Sequence, residues 1–389
     1  MGSWMKVKLT QVCSSISDGD HLPPPKCESG VPFVTISDIK NNRFDLANTR
    51  FVPKAYFDAI DEKRRIRKGD VLYSVVGSYG IPVYADKDLD IAFQRHIAIL
   101  KPGKDVDSRY LYYSLLNPAF YNAADNVAIG AAQKTITLSA LRNLEIPLPP
   151  LPVQRRIADI LSAYDDLIEN NRRRIAILEE TARLAYRKWF GGEVGCNDTV
   201  GKVSDFFDIS IGRTPPRKSE ECFSHDLSDV KWLSIKDMKA DRVFAFDSSE
   251  RLTGLGVEKT KIHISPPGTI FLSFKLTVGV VVIAGDYMAT NEAIAHFETN
   301  DRALRDYTYF YLSLFQYDKL GSTSAIAKAI NSDIVRKMDF VLPDRASLDR
   351  YEKEVAPMFD QIENLTRQSA ALAAARDKLL PRLMKGDVA

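Results

Sequence analysis

Phe33-Val-Thr-Ile-Ser-Asp-Ile-Lys40 and Trp232-Leu-Ser-Ile-Lys-Asp-Met-Lys239 are two versions of one stretch, 199 residues apart. The same offset sets Arg43 on Arg242, Gly69 on Gly268, Ser74 on Ser273 and Gly80 on Gly279. It falls to 197 where Tyr110 and Tyr112 meet Tyr307 and Tyr309. It reaches 194 where Lys134, Ile136 and Pro149 meet Lys328, Ile330 and Pro343. Short loop deletions in the second copy produce such a slow drift. The 389 residues are therefore one unit written twice, and a repeat of this kind constrains the fold before any element is assigned.

Each copy reads as a mixed α/β domain followed by a helix. Apolar and β-branched runs predict strands at 32–36, 70–76 and 97–100, and in the second copy at 230–235, 269–274, 278–284 and 293–297. Residues 110–116 predict a short helix that stops near Asn117-Pro118, and Gly77-Ser-Tyr-Gly80 predicts a turn.

From Ile157 the seam of the next helix runs through Leu161, Tyr164, Ile168, Ile175, Leu178, Ala182, Ala185 and Trp189. Steps of four and three alternate, with Asn171 as one polar break, which is a heptad a/d stripe. Shifted by 194, the second copy gives Tyr351, Val355, Met358, Ile362, Leu365, Ser369, Leu372, Arg376, Leu379 and Leu383. Arg376 is expected to snorkel to the edge of the seam. Pro357 is expected to break the helix, so that its long part starts there. Pro152 suits the first turn of the earlier helix, while Gly191-Gly192 and Gly386 suit the two stops. Neither stripe can be buried by its own helix, so each requires the other. The expected fold is two mixed α/β domains separated by two long antiparallel coiled-coil helices, with a pseudo-two-fold repeat and a seam of ~50 Å. The expected divisions are 1–150, 151–192, 193–343 and 344–389. Two domains on such a spacer suit half-sites about one turn of duplex apart, ~34–36 Å.

Composition narrows the function. The net charge is only +2, so any nucleic-acid face must come from local segregation of charge, as at Lys63-Arg64-Arg65, Arg172-Arg173-Arg174 or Arg213 with Arg217-Lys218. No apolar run approaches the ~20 residues that span a bilayer, and the start lacks a signal-peptide core; a cytoplasmic location is expected. Met5 offers a second start. Cys13, Cys27, Cys196 and Cys222 form no CxxC and have no histidine at zinc-ligand spacing, so no metal is expected. No cofactor is expected either, because no phosphate loop GxxxxGK[ST] occurs. Asn117-Pro-Ala-Phe120 is like an adenine-gripping loop but lacks the methyl-donor turn before it. Asp61-Glu-Lys63 lacks the rest of a nuclease site. The histidines are isolated, and no residue is assigned a catalytic role.

The chain resembles the specificity subunit of type I restriction-modification systems. Ile16-Ser-Asp-Gly-Asp-His21 and Gly212-Arg-Thr-Pro215 resemble openings of target-recognition domains. Residues 72–80, 271–279 and Asn291-Glu-Ala-Ile294 resemble the central strand and turn. Ile146-Pro-Leu-Pro-Pro-Leu-Pro-Val-Gln154, leading into Ile157-Ala-Asp-Ile-Leu161 and Asp165-Asp-Leu-Ile-Glu-Asn170, resembles the exit strand and central helix. Lys378-Leu-Leu-Pro-Arg-Leu-Met-Lys-Gly386 resembles the distal helix end. Val153 and Leu342-Pro-Asp344 depart from the family pattern. The resemblance implies a non-catalytic subunit bound to double-stranded DNA and, through its helices, to two methyltransferase subunits, with motor-nuclease subunits joining the complex. A helical scaffold that binds only proteins is the alternative.

Direct readout uses Arg, Lys, Asn, Gln, Ser and Thr at groove edges. The polar loops nominate Lys26, Arg43, Ser78, Tyr79, Arg95, Gln133 and Lys134 in the first copy. In the second they nominate Arg213, Thr214, Arg217, Lys275, Thr277 and Lys328. The matched Lys134 and Lys328 lie in small-residue loops that permit close approach to phosphate.

Overall fold

Both copies fold on one strand plan. The computed structural model describes residues 4–21, 23–131, 133–192, 194–238, 242–320 and 330–387. Contacts divide the chain into two units, one made of residues up to Leu167 together with those from Leu372 on, the other Ile168–Ala371. Each unit thus holds one α/β domain and a stretch of both long helices.

In the first unit β1 (Cys13–Asp18), β2 (Val71–Ser74), β3 (Pro82–Tyr84) and β4 (Ile97–Pro102) form an antiparallel sheet in the order β1-β4-β2-β3. Side chains alternate across it, so both faces are covered. Leu72, Val83, Ile97 and Ile99 pack on one face with Val34 and Phe93. Val71, Tyr73, Ala98 and Leu100 pack on the other with Tyr110 and Leu111 of α1 (Ser108–Leu116). A smaller sheet pairs Val31–Val34 antiparallel with Arg50–Val52 and parallel with Ala92–Phe93. Lys6–Lys8 pairs with the exit strand Glu145–Pro147.

The second unit repeats these pairings. β5 (Ile209–Ile211), β6 (Phe244–Ala245), β7 (Ile270–Ser273), β8 (Val281–Ala284) and β9 (Ile294–Phe297) take the order β5-β9-β7-β8-β6. The main sheet gains β6, which pairs parallel with β8, and the smaller sheet gains Phe223–Ser224, antiparallel to Glu250–Leu252. Val230–Leu233 pairs antiparallel with Glu250–Leu252 and parallel with Met288–Thr290, and Thr199–Lys202 with Asp339–Leu342. The strands fall within a few residues of the predicted ranges. The matched tyrosines do the same work in each copy: Tyr110 donates to Pro147 O at 2.7 Å, and Tyr307 to Val341 O at 2.6 Å. Asn117 does end α1, but it also caps a further helix, Pro118–Asn126, through a bond from Ala119 N. Proline at the first helical position has no orphan N–H to satisfy, so it starts this helix as readily as it stops the last.

α2 (Leu151–Phe190) and α4 (Arg345–Lys385) are the long helices; α3 (Arg302–Leu314) packs within the second unit. In the first unit Ile157, Ala158 and Leu161 share one core cluster with Leu380, Leu383 and Met384. In the second, Ala182, Ala185 and Tyr186 share one with Tyr351, Val355, Phe359 and Ile362. There Trp189 Nε1 donates to Glu354 and Asn171 Nδ2 donates to Gln368 and Ser369, so the helices run antiparallel. Leu365 is buried, while Tyr164, Ile168, Ile175, Leu178, Met358, Leu372 and Leu379 are half-buried along the same stripes.

One expectation about α4 is refined and one is overturned. Arg376 lies half-buried at the edge of the seam, bonded to the exposed Asp377 and also held by a carboxylate of the other helix. Within the first unit its Nη1 bonds Asp165 Oδ1 at 2.5 Å, and the same carboxylate accepts from Tyr113 at 2.6 Å. Burial lowers the basicity of Arg376, but Asp165 and Asp377 outweigh it and raise the pKa. A long cation inside a seam is held where a carboxylate meets it. Pro357 does not break the helix, which runs unbroken from Arg345 to Lys385. Pro357 and Lys353 are both exposed, so the carbonyl that loses its donor faces water. Tyr351, Val355, Phe359 and Ile362 bury the opposite face. At ~1.5–3 kcal/mol per buried side chain they outweigh the ~3 kcal/mol proline penalty. Pro357→Ala should therefore raise the unfolding free energy by ~1–2 kcal/mol. Thermal melts check this, and a lower melting temperature would show that the helix is better served by the proline.

α3 is joined to α4 by ion pairs of Arg302 that border a buried carboxyl. Asp306 is fully buried beside Arg305 Nε at 2.7 Å, and Arg302 meets Glu352 at 2.9 Å and Asp360 at 2.8 Å. Burial, against the pull of Arg305 and Arg302, holds the Asp306 pKa above the usual carboxylate value. Burial and the charge of Asp306 push Glu352 to about 7. A carboxyl raised on folding binds its proton more tightly in the native state, so stability falls as pH rises from ~4.5 towards 7. Glu352→Gln should remove the share of this slope that Glu352 contributes and melt above the parent at pH 8, with the gap narrowing by pH 5. Parallel melting curves for parent and variant would sink the assignment.

Candidate nucleic-acid interface

The β2–β3 and β7–β8 turns are anchored alike. Ser74 and Ser273 are buried, and their hydroxyls accept from Ile81 N at 2.9 Å and Val280 N at 3.0 Å. Gly80 N and Gly279 N each return to the serine carbonyl at 2.9 Å. Val75 N bonds His96 O and Phe274 N bonds Ala293 O, which brings the segment before β4 or β9 alongside each tip.

In the first unit a second loop joins the tip. Gly77 N bonds Lys134 O at 3.1 Å, and Ile136 N bonds Val75 O at 2.8 Å. The Gln133 amide lies beside Gly77. Tyr79 stacks on Tyr121, with centroids 6.0 Å apart and planes at 1°, and its hydroxyl donates to Asp125. Lys134 Nζ donates to the same carboxylate at 2.7 Å. The Lys134 and Tyr79 hydrogen bonds hold Asp125 below the ordinary carboxylate value, and the Asp125 bond holds Lys134 above its own. Ser78, Tyr79, Gln133 and Lys134 therefore converge, with Arg95 exposed next to His96. Lys26 is exposed in another loop. Arg43 lies on the hairpin of Ile39–Lys40 and Arg43–Phe44, where Asn42 bonds Pro82 O and the charge of Arg43 acts on Tyr112.

The second unit gathers its residues around acids. Thr214 donates to Glu292. Burial pushes Glu292 up, but the Thr214 bond and the charges of Lys275 and Arg217 bring it below the ordinary value. Arg217 grips Glu250 at 2.7 and 3.4 Å, and its guanidinium lies 4.8 Å from the centroids of both Phe223 and Trp232. Trp232 Nε1 donates to Arg213 O at 3.0 Å, and Arg213 Nη1 to Thr260 O at 2.8 Å. Lys275 and Thr277 are exposed on the tip. Lys328 lies outside the described residues.

One close approach places both clusters. A Cβ on Gly19 would lie 2.2 Å from Phe93 O, and one on Gly212 2.2 Å from Asn291 O. Glycine alone lets the β1 and β5 ends run against the segments that carry Arg95 and Glu292.

The acids Asp125, Glu250 and Glu292, which hold Lys134, Arg217 and Thr214, were not among the nominated residues. One signal was available: the offset of 197 sets Glu292 on Arg95, a reversal of charge at a matched position. His296 stands within 2.9 Å of Ser210, 3.1 Å of Ser265 and 2.6 Å of Thr290. It is wholly buried, and burial lowers its pKa to about 3, so it packs as a neutral ring between strands with no path to a substrate. Among the described residues no group of three or more His, Cys, Asp or Glu could hold a metal ion, and no helix is long and apolar enough to cross a membrane. What the clusters offer is exposed donors held at fixed points on a rigid frame, the requirement for hydrogen bonding to base edges and phosphates.

Comparison with known proteins fits this arrangement. The family model of the type I restriction modification DNA specificity domain matches the chain twice, over residues 1–180 and 198–371. The specificity subunit of the type I restriction enzyme HindI of Haemophilus influenzae is 21% identical, with 100% of each chain covered. The MjaIX specificity subunit of Methanocaldococcus jannaschii is 25% identical over 92% of this chain and 87% of its own. The crystal structure of the type I S subunit from M. genitalium shares the fold at a TM-score of 0.55 and 16% identity, covering 98% of this chain and 96% of that one. The doubled strand plan and the doubled family match agree: this chain belongs to the family of type I restriction-modification DNA specificity proteins.

Proposed function

We propose that the chain is the sequence-reading subunit of a type I restriction-modification assembly, with no catalytic role of its own. Each domain reads one half of a bipartite, asymmetric target in double-stranded DNA. The helices set the gap and dock two methyltransferase subunits, and motor-nuclease subunits join through the complex. One observation carries this reading: a repeated frame bears different side chains at matched tips. Ser78 stands opposite Thr277, Tyr79 opposite Val278 and Arg95 opposite Glu292. A conserved function at both tips would favour matched chemistry, whereas reading two different half-sites calls for this divergence.

The test is a map of methylated adenine in cells with and without the chain, and with residues 1–150 exchanged for those of a relative. One half-site should change and the other persist. A change in both halves, or methylation independent of the chain, would refute the proposal.

Lys134 supplies a second test. Its ammonium is held by Asp125 and is expected to pass to a phosphate on binding. Asp125→Asn should strengthen binding to all sequences alike and steepen the salt dependence by about one unit of slope; Lys134→Ala should do the reverse. Band shifts at several salt concentrations measure both. An altered base preference would make Lys134 a base reader instead.

A further inference from the structure

Leu276 sits at the tip of the β7–β8 turn with 92% of its surface exposed and a backbone φ of +62°. Both facts are unfavourable for leucine. A Cβ in the left-handed region crowds the neighbouring carbonyl, and the side chain buries almost nothing in exchange. The turn does not call for leucine. At the matched position of the first domain, 199 residues earlier, Gly77 adopts φ +70° without strain. The backbone path is common to both repeats, so the side chain is peculiar to the second.

The tip also holds the backbone that carries this side chain. Besides the serine anchor, Ser273 Oγ donates to Thr277 O at 2.5 Å, which closes the turn around Leu276. Little backbone freedom remains to be lost on binding. The surroundings are polar with a cationic excess: Lys275 precedes it, Thr277 and the part-exposed Val278 follow it, and the charges of Lys275 and Arg217 both act on the single carboxylate of Glu292. A matching partner must carry anionic groups and offer an apolar point to the tip. The major groove of duplex DNA has this pattern, because phosphates flank base edges on which thymine alone carries a C5-methyl group.

We propose that Leu276 reads a thymine, by packing its side chain against the C5-methyl in the major groove of the second half-site. The assignment rests on the DNA-reading function above. The first domain, with Gly77 and Ser78 at its tip, has no such apolar reader.

The experiment uses the chain assembled with its methyltransferase subunits, on the target that adenine mapping defines. Each thymine of the half-site read by residues 198–371 is replaced in turn by deoxyuridine, which lacks only the methyl. At one position the change should weaken binding about four-fold, the value of one buried methyl-sized group. Leu276→Gly should bind thymine and uridine targets equally and melt no lower than the parent, since glycine takes the positive φ freely. A half-site without an A·T pair, uridine without effect at every position, or loss of methyltransferase subunits from Leu276→Gly would overturn the assignment. Selective binding by the parent with no methyl effect sinks Leu276 alone; no selective binding at all sinks the DNA-reading function with it.

Discussion

Neither α/β domain closes its core alone. The first needs Ile157, Ala158 and Leu161 together with Leu380, Leu383 and Met384; the second needs Ala182, Ala185 and Tyr186 together with Val355, Phe359 and Ile362. One helix therefore enters the first core near its N-terminal end while the other enters it near its C-terminal end. Antiparallel running follows from burial, because a parallel pair would bring opposite ends of the stripes to each core. An amphipathic helix gains most of its stability from such packing rather than from propensity. The helices are thus parts of the domains as much as links between them.

Much of this was legible in the sequence, for reasons that differ by element. The repeat survives as spacing, and the a/d stripe is periodic, so Ile157 through Leu383 could be read without coordinates. Strand existence followed from apolar runs in sheets buried on both faces. The short strands Phe244–Ala245 and Arg50–Val52 carry too few residues to show a period. Pro357 was misread because local propensity was weighed without the face buried opposite it. The pairing of Arg376 went unread because its partner Asp165 is 211 residues away.

The candidate site was legible in part. Loop polarity nominated Ser78, Tyr79, Gln133 and Lys134, and these converge. It could not reveal that Lys134 is held by Asp125, or that Thr214, Arg217 and Lys275 share the field of Glu292, because acids were set aside in a search for cations. A duplex-facing surface needs its cations held in place as well as present, and carboxylates beside them do that at the expense of net charge. This is consistent with a whole-chain charge of only +2.

The serine anchors have an evolutionary consequence. Ser74 and Ser273 shape each turn through their own hydroxyls and through backbone atoms, so the side chains of Ser78 and of residues 275–278 are released from most duties in folding. Substitutions there escape the usual penalty for drift, which is loss of the native state. Under the proposed function, such a lineage can try new addresses on the genome one tip residue at a time while the scaffold that carries them stays intact.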